Sequence, residues 1–238
     1  LIYKNAYIIN VVSKGFIKYY KSIGFEVNKW TFFPNGYDEI FKNEKKKISL
    51  KPNIENKKIL LYAGNLGLGQ GIEKLVLKIS KYLPRDWFFI IIGSGKKFVQ
   101  IQNIINKNNI LNVILLPPVD KLELLSWYHR VNAFLINLNN FDCLNYVIPS
   151  KSFELGLFKK PIIAGVKGYT AAFLKNEIPN VHIFKPCDGK NAVKILKLSF
   201  KKQNQTIIKE KRNLLWKKYY RKNSLDQFVE KIFSEWKF

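Results

Sequence analysis

Residues 58–95 read KILLYAGNLGLGQGIEKLVLKISKYLPRDWFFIIIGSG. Two apolar runs, residues 59–63 and 87–92, have the length of strands rather than helices. Each runs straight into glycine. Gly64, Gly67, Gly69 and Gly71 follow the first run, and Gly93 and Gly95 follow the second. Between them Ile72, Leu75, Val76, Ile79 and Leu83 recur at helical spacing, forming one apolar stripe. Strands that are apolar throughout, joined through a helix, read as a parallel pair buried on both faces. The run at 87–92 is the longest apolar one in the chain and falls far short of the roughly 20 residues that cross a bilayer.

The same alternation continues outward. Strand-like runs are expected at residues 113–116, 133–136, 161–164 and 181–184, with helical stretches between them. Asp120 and Glu123 form a capping box that opens a helix through Tyr128. Six such alternations predict an α/β fold, a Rossmann-like parallel sheet with helices on both faces, over residues 59–202. The flanks differ. Before it, residues 7–12 and 30–33 read as strands and 13–22 as a helix, followed by the turn Pro34-Asn35-Gly36. A Lys-rich stretch at residues 46–58 reads as a linker. Residues 203–238 read as C-terminal helices, the last amphipathic through Leu225, Phe228, Val229, Ile232, Phe233 and Trp236. Ser224 and Gln227 are its expected capping box, and no other segment stands out as its partner. The chain begins without Met and contains none, so we expect a piece of a longer protein.

Composition narrows the function classes. Of 238 residues 47% are hydrophobic and 15% aromatic, enough for a core and too many for a disordered chain. The net charge is +24, yet only four of the 41 basic residues are Arg: Arg85, Arg130, Arg212 and Arg221. Scattered Lys without Arg reads as a solvated basic surface. An anionic membrane face is the alternative, and a nucleic-acid partner is not expected, since Arg reads phosphate and guanine better. Cys143 and Cys187 stand alone, which points to a reduced, cytoplasmic setting. His129 and His182 lack ligand-spaced partners, so no metal site is expected.

A second stretch carries the chemistry. Residues 147–164 read VIPSKSFELGLFKKPIIA. Pro149 stops the preceding segment, Ser150 is the expected N-cap, and Glu154 falls in or just past the first helical turn. A helix start offers amides to an anion, and an acid beside it can grip hydroxyls, a combination suited to a nucleotide-sugar. In an open parallel sheet ligands bind outside the carboxyl ends of the strands. Gly64 to Gly71, Gly93 and Gly95, and Gly165 and Gly168 all fall at such ends, where backbone can approach a phosphate. The dinucleotide fingerprint fails, because Ile72 stands where its third glycine belongs, and no Gly-Lys-Ser/Thr P-loop is present. Nor is there an Asp-x-Asp pair to hold a divalent ion on a diphosphate.

Four segments together resemble the C-terminal, donor-binding half of GT-B glycosyltransferases of family 4, near the bacterial cell-surface polysaccharide (O-antigen and capsule) enzymes. They are residues 9–38 with VVSKGF and FFPNGYD, LLYAGNLGLGQGIEKLV at 60–76, FIIIGSGKKF at 89–98, and the 147–164 stretch. The resemblance implies that residues 1–45 are a remnant of the acceptor domain and crossover. It implies that Glu154 is the second acid of an E-x7-E motif, accepting from ribose hydroxyls. Pro149, Ser150 and Lys151 then lie at the helix entrance near the diphosphate, and Gly64 and Gly67 line the loop facing the phosphates. Gly93 and Gly95 mark the loop near the base, with residues 116–119. This chain departs from the pattern in three places. Tyr146 stands where the first acid belongs, and the neutral Asn65 and Gln70 stand where many members carry Arg and Lys. Lys151, Lys96 and Lys97 are then the candidate phosphate cations.

The implied activity is sugar transfer with retention from a nucleotide-diphosphate sugar to a lipid-linked or polysaccharide acceptor, without metal or cofactor. The implied place is the cytoplasmic face of the inner membrane, peripherally. No catalytic acid–base residue is assigned. The alternative is a non-catalytic nucleotide-sugar-binding module that needs a separate acceptor-domain chain.

Overall fold

A computed structural model describes residues 2–42, 54–201 and 205–235. Most of the expected linker and Trp236 lie outside the described residues. After a short α1 (Ile2–Asn5), β1 (Ile9–Val11) and β2 (Trp30–Phe32) pair in parallel as a separate two-stranded sheet. They are joined through α2 (Lys14–Ser22), whose Ser13 side chain caps the helix by accepting from Gly15 N at 3.1 Å.

The main sheet has six strands: β3 (Lys58–Ala63), β4 (Trp87–Ile92), β5 (Val113–Leu116), β6 (Ala133–Asn137), β7 (Ile162–Gly165) and β8 (Val181–Phe184). Their order is β5-β4-β3-β6-β7-β8, and every neighbouring pair is parallel. Side chains alternate between two apolar layers, as the period of a strand requires. Ile59, Leu61, Ile90, Ile92, Phe134, Ile136 and Ile162 enter one core cluster, while Leu60, Tyr62, Phe89, Ile91, Leu135 and Ile163 enter the other. The first layer is covered by α5 (Lys121–Arg130), α6 (Lys151–Leu155), α7 (Gly168–Glu177) and α9 (Gln205–Lys218) through Leu125, Phe153, Leu174 and Leu215. The second is covered by α3 (Val76–Tyr82), α4 (Phe98–Lys107) and α8 (Gly189–Leu198) through Ile79, Ile101 and Val193. The expected doubly covered parallel sheet is present.

Two local expectations are corrected. The stripe from Ile72 to Leu83 is not one helix: a 3-10 turn spans Ile72–Lys74, and α3 begins at Val76. Gly71 enters that turn at φ +61°, and all five stripe residues are nonetheless buried. The final helix, α10 (Arg221–Glu235), does not start at Ser224. Ser224 sits inside it and donates its hydroxyl to the Tyr220 carbonyl at 3.2 Å. The start is fixed by tertiary bonds: Arg221 N donates to Tyr37 O at 3.1 Å, and Arg221 Nε to Asn35 O at 2.7 Å. The helix also has a partner in this chain. Phe228 stacks on Phe33 with ring centroids 5.2 Å apart, although Leu225, Val229 and Phe233 remain exposed.

The junction before α10 is held by a buried phenol. Tyr219 packs on Phe153 at 4.8 Å and donates to Glu177 Oε2 at 2.8 Å, while Lys218 Nζ lies 2.7 Å from the same oxygen. Burial, the largest single influence, would raise the Glu177 carboxyl, but these two bonds together with the charges of Lys218 and Lys14 outweigh it and hold it below the ordinary value of about 4.5. A lowered carboxyl stabilises the fold above its unfolded value, and that stabilisation is lost as pH falls through the folded value. Urea midpoints measured at pH 7 and pH 3 are therefore expected to differ less in Glu177→Gln than in the unaltered chain. Among the described residues no helix is long and apolar enough to cross a membrane.

Candidate functional site

The strand order reverses between β3 and β6, and a crevice at the carboxyl ends there is where this topology places ligands. A cavity of about 300 Å³ opens on that rim. It is lined by Ala63, Gly64 and Asn65 after β3, Ile92, Gly93 and Ser94 after β4, Pro118 and Val119 after β5, Leu124 of α5 and Lys151 of α6. The lining combines apolar side chains, Pro118, Val119, Leu124 and Ile92, with glycine backbone, an asparagine, a serine and one cation. A larger hollow of about 670 Å³ lies among Tyr3, Ile23, Phe25 and Trp30 around the small sheet. The smaller one is the better site candidate, because it gathers the glycine turns, a cation and an apolar recess in one place.

Of the sequence-derived candidates, Gly64, Asn65, Gly93 and Lys151 meet in this cavity, together with Pro118 and Val119 of the 116–119 segment. Glu154 lies just behind it: the carboxylate is largely buried and pairs with Lys151 Nζ at 2.9 Å across one helical turn. Its charge also reaches Tyr128, whose phenol is pushed well up, first by burial and then by Glu154. Gly67 and Gln70 lie further along the first loop, where Gln70 Oε1 accepts from Gly67 N at 3.2 Å.

Gly93 and Gly95 are at the expected rim, and their lack of a side chain also serves a contact within the chain. Backbone bonds lash the two loops together: Gly64 N to Ile92 O at 2.9 Å, Leu66 N to Ser94 O at 2.7 Å, and Lys97 N to Leu66 O at 2.8 Å. A Cβ on Gly93 (φ +157°) would lie 1.9 Å from Gly64 O, and one on Gly95 (φ +145°) 2.6 Å from Leu66 O. These glycines let one loop cross the other. Gly93 also borders the cavity.

One expectation about α6 changes. Ser150 is not a cap: it is exposed, its backbone is already helical at φ −56° and ψ −36°, and its side chain makes no capping bond. The hydroxyl used locally is that of Ser152, which donates to the Pro149 carbonyl at 2.6 Å, a bond the Ser152 amide shares at 3.0 Å. Lys97 turns to its own helix, donating to Gln100 Oε1 at 2.9 Å. Lys96 is exposed and does not line the cavity. Tyr146 faces the small sheet's helix, its ring 5.0 Å from that of Tyr19 and its carbonyl accepting from Ser13 Oγ.

Sequence reasoning missed Ser94 and Leu124 in the lining, and two buried asparagines that fix the backbone of the first glycine loop. Asn137 Nδ2 donates to Gln70 O at 2.6 Å while its Oδ1 accepts from Cys187 N at 3.1 Å. Asn139 Nδ2 donates to Leu68 O at 2.8 Å, and Asn139 N to Gly69 O at 2.7 Å. The signal was LINLNN at residues 135–140, amide side chains closing an apolar strand. Among the described residues no cluster of His, Cys, Asp or Glu could hold a metal ion.

The parallel sheet flanked by helices is a fold this chain shares with solved GT-B glycosyltransferases. Solved structures of that class superpose on nearly the whole chain. HepE from Anabaena, in complex with UDP-glucose, matches with a TM-score of 0.78 at 14% identity, over 96% of this chain and 64% of that one. A mutant of TarM from S. aureus, in complex with fondaparinux, alpha-GlcNAc-glycerol and UDP, gives 0.70 at 15%, over 95% and 44%. The apo form of the lipopolysaccharide outer core galactosyltransferase WaaB gives 0.62 at 18%, over 97% and 62%. At these identities the likeness is one of fold, and the chain spans less than two thirds of each of these structures. No protein-family model and no curated protein matches the chain.

Proposed function

We propose that the cavity binds the nucleotide diphosphate of a nucleotide-sugar, and that the chain is the donor half of a glycosyltransferase. The observation that carries this reading is the meeting of Gly64, Asn65, Gly93 and Lys151 with the apolar Pro118, Val119 and Leu124 in one cavity at the carboxyl ends of the parallel strands. The recess of Pro118, Val119 and Leu124 suits a planar base. Glu154 accepts from the ribose hydroxyls. Lys151 and the loop amides face the diphosphate, whose charge is met here without Arg or Lys at positions 65 and 70.

The chemistry follows from where charge develops. Breaking the bond between sugar C1 and the phosphate oxygen leaves positive charge on the sugar and negative charge on the diphosphate. Fixed amides and the Lys151 ammonium stabilise that leaving group, a form of electrostatic preorganisation that needs no metal. The resemblance to family 4 supports retention of configuration and a lipid-linked or polysaccharide acceptor of the O-antigen kind. The net charge of +24 supports peripheral attachment to an anionic membrane, at the cytoplasmic face.

A second reading is a nucleotide-sugar-binding module without catalysis, working with a separate acceptor chain. Tyr146 favours it, because the position of the first acid is filled by a ring packed on Tyr19. Calorimetry with UDP, GDP and dTDP tests the shared premise: one of the three is expected to bind, and failure of all three overturns the donor site. A neighbouring reading frame that encodes an acceptor domain would then favour the module over the enzyme.

A further inference from the structure

The first glycine loop closes on itself. Gln70 Oε1 accepts from Gly67 N at 3.2 Å and from Asn65 Nδ2 at 3.3 Å. Asn65 lines the cavity, and Gly67 is two residues further along the same loop. One partly negative oxygen thus engages two N–H donors at the rim, the part a phosphate oxygen plays in an anion-binding loop. The backbone beneath is fixed independently, because Asn137 holds the Gln70 carbonyl and Asn139 holds those of Leu68 and Gly69. The Gln70 side chain can therefore leave without the loop moving. Gly67 fits this arrangement: a Cβ there would lie 2.8 Å from Asn65 Nδ2 and 3.1 Å from Gln70 Oε1.

Both bonds of Gln70 are between neutral groups near the surface, so water replaces them at little net cost. Bonds from the same donors to a charged phosphate oxygen are shorter and stronger. We infer that the Gln70 side chain is a displaceable surrogate for the donor phosphate, holding Gly67 N–H and the Asn65 amide until a diphosphate oxygen takes them. The inference rests on the donor-site reading above. Gln70 is on this account a positioning residue that sets how tightly the loop takes a diphosphate.

Two substitutions separate this role from simple support of the loop. Gln70→Glu keeps the acceptor oxygen and adds a full negative charge where the phosphate must come. Titrated by calorimetry into the 238-residue chain, inorganic pyrophosphate and the nucleoside diphosphate that binds the unaltered chain are expected to bind at least roughly tenfold more weakly. The parent nucleoside is expected to bind unchanged. Gln70→Ala releases both donors and is expected to leave diphosphate binding equal or tighter. A strut predicts that the Ala variant is weakened, and that result overturns the inference. Should the Ala variant melt early, Gln70→Ser, which also withdraws the acceptor from Gly67 N and Asn65 Nδ2, decides in its place. Normal nucleotide binding that ignores both changes overturns the surrogate role only, whereas an unaltered chain that binds no nucleotide overturns the donor site as well.

Discussion

Replacing Gly93 by alanine is expected to cost about 3–5 kcal/mol of stability, combining overpacking with backbone strain. The added Cβ would lie 1.9 Å from the Gly64 carbonyl oxygen and 3.0 Å from its carbon. Backbone on both sides resists a shift. Gly64 N is bonded to Ile92 O at 2.9 Å and Gly93 N to Leu116 O at 3.1 Å, so the ends of three strands move together or not at all. Residue 93 also stands at φ +157°, where an L side chain is strained. A loss of this size is a large share of the 5–15 kcal/mol typical of a folded domain. It should appear in the urea midpoint together with loss of nucleotide binding, since Gly64 and Gly93 line the cavity. Gly69→Ala is the matched control, because a Cβ there meets nothing within 4 Å. Equal stability of the two variants would show that the loop crossing is looser than described.

The second large effect is on binding. Glu154→Ala is expected to weaken the bound nucleoside diphosphate by about 1.5–3 kcal/mol, the range for hydrogen bonds to a charged group. Glu154 is largely buried, one helical turn from the only cation that lines the cavity among the described residues. Its loss removes the acceptor for the ribose and releases Lys151 from its 2.9 Å pair. The two consequences separate by ligand. A ribose contact predicts that the parent nucleoside weakens along with the diphosphate. A purely electrostatic role predicts that the nucleoside is unaffected and the diphosphate binds more tightly, since a carboxylate has been taken from beside the phosphates. The first outcome is the one expected.

Much of the fold is legible in the sequence because parallel strands covered on both faces must be apolar throughout. Residues 87–92 and 113–116 begin and end where their apolar runs do. What misleads is local capping logic. Ser150 and Ser224 look like caps, but the turn at Pro149 is closed by Ser152, and α10 is started by Arg221 bonded to residues 35 and 37. Partners as far from Arg221 in sequence as residues 35 and 37 leave no local trace. At the candidate site the glycine positions are readable, but the crossing of two loops that Gly93 and Gly95 permit is not. Side-chain direction is equally hidden: three lysines are plausible phosphate partners by position, yet only Lys151 faces the cavity. Asn137 and Asn139 are recognisable only once β6 is seen to end beside the first loop.

A nitrogen-15 NMR titration with whichever of UDP, GDP and dTDP binds asks most directly where a donor nucleotide sits. If the carboxyl rim of the sheet is the donor site, amide shifts concentrate at Gly64, Asn65, Gly93, Ser94 and Lys151. Shifts confined to the hollow around Tyr3 and Trp30, or spread evenly over the lysines of the surface, would contradict it.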